Sequence, residues 1–356
     1  MSKLISSSRR NFLRLGLASG AAFAATHQAA KADATGPAIQ TSAKIVIIGA
    51  GAGGTALANR LVDRLDGAEI TLIDPRVDHL YQPGLSLVAA GLKPANYVVS
   101  KTTDWLPNGV TLLPEAAASI DPEAKRVETA SGQSVPYDFL VVAPGLVLDH
   151  DAIEGFSLDM VGENGIGALY AGPQYAAATW RAAQAFTENG GIGLFTRPET
   201  EMKCAGAPLK HTFLIEDITR TAGNRGKAEF HYAAPQSSLF GVPIVAEKVR
   251  MLFGDRGIST AMQHTLRSID AGTKRATFET PDGPAEMDYD YIHVIPPQRA
   301  PDVIRQSGLS WANKWTDQGW VECDMTSLQH LRYDTIWALG DVAGVPKGKT
   351  AASVKW

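Results

Sequence analysis

The chain has 356 residues, 45% of them hydrophobic, a net charge of -4 and two cysteines. That length suffices for a large core and suggests two domains once a leader is set aside. The charge balance gives no pull toward nucleic acid, two cysteines cannot build a disulfide scaffold, and beyond the leader no apolar run is long enough to cross a membrane as a helix.

The N-terminus carries Arg9-Arg10-Asn11-Phe12-Leu13, a run of small and apolar residues over 15–25, and Ala30-Lys31-Ala32. Consecutive arginines, a modest apolar stretch and an A-x-A-like cleavage site read as a twin-arginine export signal over residues 1–32. That route carries folded proteins, which suits a cofactor loaded in the cytoplasm and predicts a periplasmic destination. Residues 33–42 read as a linker, with the fold starting near residue 43.

The stretch 44–74 then gives a buried strand, a glycine turn, a helix and a second strand ending in an acid. Gly49-Ala50-Gly51-Ala52-Gly53-Gly54 has the G-x-G-x-x-G spacing of a dinucleotide cradle. Gly49 permits the tight turn, Gly51 admits a pyrophosphate and Gly54 lets the helix approach the strand. The helix N-terminus offers free N–H groups and a positive dipole end. Asp74 lies where such units place an acid that accepts bonds from a ribose hydroxyl.

Next come the loop Tyr81-Gln82-Pro83-Gly84, short strands at 110–113 and 116–120, and a hairpin over 126–137. A buried strand over 138–143 ends in Pro144-Gly145, the turn from which the chain leaves for a second domain. The expected division is 43–160 with 297–356 for the first domain and 161–296 for the second. The fold class is therefore α/β, with two Rossmann-like domains, the second inserted in the first.

The strand at 191–196 begins the second unit, yet no second glycine motif follows. The sequence there reads Lys203-Cys204-Ala205-Gly206-Ala207-Pro208, ahead of a helix over 209–221. A nearby cation and a helix N-terminus favour thiolate at Cys204, and the small residues after it leave room for a flat ring. An isolated cysteine without such neighbours is by default a buried, inert one. Cys323 sits between Glu322 and Asp324, which disfavour a thiolate, leaving a structural role or that of a redox partner. The seven histidines past the leader show no ligand spacing, so they read as surface or core residues and no metal is expected. A last strand ends in Gly340-Asp341, a second flavin signature whose carboxylate would meet a ribityl chain. Lys349 reads equally as a cation at the flavin N1–C2=O edge or as a solvated lysine.

Together, Gly49 to Gly54 with Asp74, Tyr81-Gln82-Pro83, the 203–208 motif, Leu239-Phe240-Gly241-Val242, residues 293–297, Leu328-Gln329-His330, Gly340-Asp341 and residues 349–352 resemble the sulfide:quinone oxidoreductases, in their mitochondrial-like branch. The resemblance covers nearly all of residues 43–354. It implies a glutathione-reductase-like fold with FAD between the two domains. It also implies a cysteine that carries sulfur against the flavin C4a, and a quinone that removes two electrons. By motif, Cys204 becomes the sulfur carrier with Lys203 beside it. Gly49, Ala50, Gly51, Gly53, Gly54, Asp74, Gln82, Ala117, Gly145, Gly340, Asp341, Lys349 and Thr350 become FAD contacts. Family members continue past this length with a second redox cysteine, quinone-pocket residues and helices that dock on a membrane, so the sequence reads as shortened. Cys323 does not occupy the second-cysteine position. The alternatives are the flavoprotein chain of a flavocytochrome sulfide dehydrogenase, an NADH dehydrogenase on the same fold, or a non-catalytic FAD-binding protein.

Overall fold

The computed structural model describes residues 37–312 and 318–345. Residues 1–32, read as the leader, and the sites Lys349 and Thr350 lie outside the described residues.

The first unit opens with β1 (Lys44–Ile48), α1 (Ala52–Arg64) and β2 (Glu69–Ile73), followed by β3 (Val110–Leu113) and β4 (Phe139–Val142). Four consecutive β1 residues are buried, as befits a parallel strand covered on both faces. The buried residues of α1 are Gly54, Thr55 and Ala58, all small, so the helix axis lies close to the sheet. Arg64 in its last turn complements the negative end of the helix dipole.

The second unit contains β5 (Ile166–Gly167), α2 (Pro173–Asn189), β6 (Gly191–Thr196), α3 (Ala207–Thr221), β7 (Ala228–Ala234), α4 (Pro243–Arg256), β8 (Ile258–Met262) and β9 (Tyr291–His293). The chain then returns and adds β10 (Ile336–Ala338) to the first sheet. Both sheets are parallel, with orders β10-β4-β1-β2-β3 and β5-β9-β6-β7-β8. Each is roofed by a three-stranded antiparallel sheet. In the first unit Ile120, Val127 and Val135 pack on Val46, Ile48 and Leu140. In the second, Leu266, Ile269 and Phe278 pack on Leu194, Ala233 and Ile292.

The units are joined twice, where Val147–Leu148 pairs antiparallel with Gln298–Arg299. This corrects the expected boundary at 160/161. Ile153, Phe156 and Val161 belong to the second unit's core, and the Ile269 amide donates to the Glu154 carbonyl at 2.9 Å. On the return, Ala300 and Ile304 are already in the first unit's core. The linker reading of 33–42 also needs correction. Ile39–Gln40 forms a short parallel pairing with Leu65–Asp66, and the Gln40 amide donates to Asp66.

Candidate active site

The glycine turn is fixed by backbone contacts that no other residue allows. A Cβ on Gly49, whose φ is +102°, would stand 2.2 Å from the Ala143 carbonyl oxygen at the end of β4. On Gly54 it would stand 1.9 Å from the Gly49 oxygen and 3.4 Å from the Ile47 side chain, so α1 and β1 meet only because that position has no side chain. On Gly51 it would point into open space, with the Arg76 Nη2 nearest at 3.7 Å. Gly51 also caps α1 without a side-chain bond, and the first turn has no acid. With no side-chain cap and no first-turn acid, the N-terminal N–H groups of α1 are left to a ligand at the cavity edge, which fits a dinucleotide pyrophosphate.

That cavity is a cleft of about 300 Å³ between the two units. The first unit contributes Ala50, Gly51, Arg76, the Asp78–Pro83 loop and Asp341; the second contributes Leu169, Tyr170, Lys203, Cys204 and Lys210. Gln82 opens the 3-10 turn Gln82–Gly84, and Asp341 lies in the turn Gly340–Val342 that follows β10. The structure thus brings Ala50, Gly51, Gln82, Lys203, Cys204 and Asp341 to one cleft, from segments widely separated in sequence. Gly49 and Gly54 shape the turn behind it, whereas Gly53, where a Cβ would meet the Leu339 side chain, does not line it. Ala117 in the antiparallel roof and Gly145 beyond β4 do not line it.

Asp74 stands in an arrangement that the spacing rule did not foresee. Its Oδ2 accepts from the Ala50 amide at 2.7 Å and Arg76 Nη2 at 2.6 Å, and its Oδ1 accepts from the Arg76 amide at 2.8 Å and Nε at 2.9 Å. Burial alone would push this carboxyl up; the Arg76 guanidinium and the two amides outweigh it and hold the acid below its usual range.

Cys204 sits in the loop between β6 and α3, half-buried, with φ at +52°. A non-glycine residue in that region costs of order 1–3 kcal/mol and persists only when its surroundings hold it. Here the Cys204 carbonyl accepts from Tyr170 Oη at 3.0 Å and from the Ala207 amide at 2.8 Å, while the Lys203 amide donates to Gln298 Oε1 at 2.9 Å. Gln298 belongs to the inter-unit connection, so the loop is pinned to the seam between the units. Burial pulls the Lys203 ammonium down to about 8; Asp341 and Cys204 support its charge, and Arg76 opposes it. Burial pushes the Tyr170 hydroxyl well up, reinforced by Cys204, so it stays a neutral donor.

Cys323 is 3% exposed and packs in the first unit's core beside Trp320 and Ile336, away from the cleft and outside any disulfide. That placement favours the structural role. The histidines assemble no metal cluster among the described residues. His211 and His293 are buried with ring centroids 4.4 Å apart, and His211 Nε2 pairs with Tyr291 Oη at 2.7 Å.

Sequence reasoning missed Arg76, Tyr170 and Lys210 as cleft residues. Arg76 left a signal, a cation two positions beyond the ribose-type acid at the end of a strand. Lys210 lies one turn into the helix that follows the cysteine motif. Tyr170 left none, because it arrives from a 3-10 turn of the second unit that is distant in sequence from the cysteine motif.

Residues 43–169 match the family model described as pyridine nucleotide-disulphide oxidoreductase. The mitochondrial sulfide:quinone oxidoreductase of Mus musculus is 34% identical over 318 residues, covering 87% of this chain and 68% of that protein. That of Dictyostelium discoideum is 34% identical over 312 residues, with shares of 87% and 68%. The solved sulfide:quinone oxidoreductase of Aquifex aeolicus superposes with a TM-score of 0.73 at 23% identity, covering 86% of this chain and 71% of that one, and supports the same fold. With a curated relative this similar over most of both lengths, the chain belongs to the sulfide:quinone oxidoreductase family.

Proposed function

We propose that this protein is an FAD-dependent enzyme that oxidises sulfide to persulfide or polysulfide sulfur and delivers the electrons to a quinone. The observation that carries the reading is the convergence of Cys204 with Gly51, Gln82 and Asp341 on one cleft. The cleft therefore joins a nucleophilic sulfur to a dinucleotide cradle, and no glycine motif follows β6 to hold a second nucleotide.

Sulfide sulfur must lose two electrons to become sulfane sulfur, and bound FAD supplies the acceptor for that pair. The chain's residues set the stage for the bond change. With FAD held in the cleft as electron acceptor, a sulfur–sulfur bond would form between hydrosulfide and Cys204 Sγ as the S–H bond breaks; the two electrons, with the released proton and a second from solvent, would finally reduce quinone to quinol. Lys203 and Lys210 make the cleft attractive to the hydrosulfide anion. Tyr170 and Gln298 hold the loop so that Sγ keeps one position. Gln82 and Asp341, which line the cleft from the first unit, would bond the cofactor on that side.

The arginine pair, apolar run and cleavage site of residues 1–32 support export of the folded protein to the periplasm. No helix among the described residues is long and apolar enough to cross a membrane. A quinone partner dissolves in the bilayer, so turnover calls for peripheral contact with its periplasmic face.

The acceptor is tested by bleaching the flavin with sulfide under anaerobic conditions and adding a soluble quinone, a c-type cytochrome or buffer. Return of the flavin bands with quinone, and not with the cytochrome, is the expected result. Reoxidation by the cytochrome alone would overturn the quinone assignment, and bleaching by NADH in place of sulfide would overturn the sulfide assignment.

A further inference from the structure

The C-terminal edge of the second sheet holds a cation that the flavin cleft does not use. The Arg197 amide donates to the Ala233 carbonyl at 3.2 Å, so Arg197 extends the β6–β7 ladder by one residue. Phe195 pairs with Tyr232 across that ladder, and residues two apart on a strand share a face. Arg197 and Tyr232 are therefore diagonal neighbours on one face, close enough for two long side chains to meet. Gln236 closes the same edge, because its Nε2 donates to the Pro198 carbonyl at 3.1 Å. None of the three lines the cleft.

Arg197 Nε, Tyr232 Oη and Gln236 Oε1 are buried and have no partner among the described residues. Tyr232 is 0% exposed, a place where an unbonded hydroxyl is costly. Burial pushes that hydroxyl up and the Arg197 charge opposes the shift, so it stays a neutral donor beside a cation. The same charge reaches Tyr170, whose hydroxyl donates to the Cys204 carbonyl at 3.0 Å. Among the described residues Arg197 forms no ion pair, and Glu199, the nearest acid in sequence, is spent on Arg267 at 2.9 Å. Arg197 as a whole is half-buried, so an ion can reach its guanidinium from solvent while Nε stays inside. The unmet donors outnumber the unmet acceptor and the formal charge is positive, so what this edge lacks is an anion.

We propose that Arg197 and Tyr232 form a binding site for a small inorganic oxyanion of the sulfate or phosphate kind, where the cysteine loop leaves β6. The fork of Arg197 takes two oxygens and the Tyr232 hydroxyl donates to a third. A carboxylate offers only two oxygens and a halide no directed pair, so both bind less well. The inference needs no flavin in the cleft and stands apart from the function proposed above.

The purified full chain is titrated with sodium sulfate, phosphate, acetate or chloride at constant ionic strength, and binding is read by calorimetry. Saturable binding of sulfate or phosphate, well above that of acetate or chloride, is the expected result; the tighter of the two names the source of the ligand. Arg197→Gln should weaken that binding roughly ten- to a hundredfold, as loss of a hydrogen bond to a charged group does, and Tyr232→Phe about tenfold. Tyr232→Phe removes a hydroxyl that has no protein partner, so in chloride it should unfold at the wild-type urea concentration or a higher one. If Arg197→Gln does not fold, Tyr232→Phe decides the matter. No saturable binding by the wild type, acetate bound as tightly as sulfate and phosphate, or unchanged affinity in either variant overturns the assignment. Earlier unfolding of Tyr232→Phe in chloride also overturns it, because a buried water would then be the partner of that hydroxyl.

Discussion

Helices α1 and α3 stand at equivalent places in the two units. Each follows the central strand of a five-stranded parallel sheet, β1 in one and β6 in the other. In the first unit only Gly49–Gly51 separates strand from helix, whereas in the second the gap is a loop over 197–206. The short turn strips side chains from the helix N-terminus and leaves its N–H groups to a phosphate. The long loop fills the equivalent space with Lys203 and Cys204, secured by bonds that Tyr170 and Ala207 donate to the Cys204 carbonyl and that Gln298 accepts from the Lys203 amide. One architecture thus supplies an anion cradle where the turn is bare and a nucleophile where it is clothed, and the seam between the units brings the two together.

The comparison is broken most severely at Gly54. Gly54→Val places a branched side chain where even a Cβ would meet the Gly49 oxygen at 1.9 Å, so α1 must leave β1. Purified Gly54→Val protein should retain no FAD and should lose several kcal/mol in denaturant unfolding. On the other helix, Lys203→Met should keep FAD yet slow flavin reduction by sulfide roughly ten- to a hundredfold, the effect of losing one charged partner, measured by stopped flow.

A smaller effect sharpens the contrast in backbone geometry. At φ +52° position 204 suits glycine better than any L side chain. Cys204→Gly should therefore be more stable than Cys204→Ala by about 1 kcal/mol in urea unfolding, the opposite of the order in a helix or strand.

The last prediction concerns pH. Burial holds His211 down at about 3 and His293 well below the usual histidine value, so both are neutral in the fold. The unfolded chain takes up those protons near 6.5, so between that pH and about 3 it binds more protons than the native state. Stability is fully present above pH 6.5 and is lost as pH falls. His211→Gln should be less stable than wild type at pH 7, with a gap that narrows on acidification.

Much of the cradle was legible because each glycine answers a local demand that spacing expresses. The cysteine motif was legible for a similar reason, since cation, thiol, small residues and proline lie in one stretch. What escaped was non-local. The contacts of Asp74 depend on how Arg76 folds back and on the Ala50 amide across the turn, so spacing identified the acid and not the protein groups that hold it. Tyr170 reaches Cys204 only through packing between distant segments. The second antiparallel sheet, Thr265–Asp270 with Arg275–Thr280 and Gly283–Asp288, also went unread. Its strands alternate in burial, but charged residues on the outer face mask the pattern.

The central claim is that the sulfur at position 204 enables sulfide to reduce the flavin. It is tested most directly by anaerobic sulfide titration of wild type and Cys204→Ser, each loaded with FAD and followed by flavin absorbance. Bleaching of the wild type and an unreduced, still yellow Cys204→Ser protein is the predicted result. Equal bleaching of both would remove Cys204 from the chemistry and contradict the account.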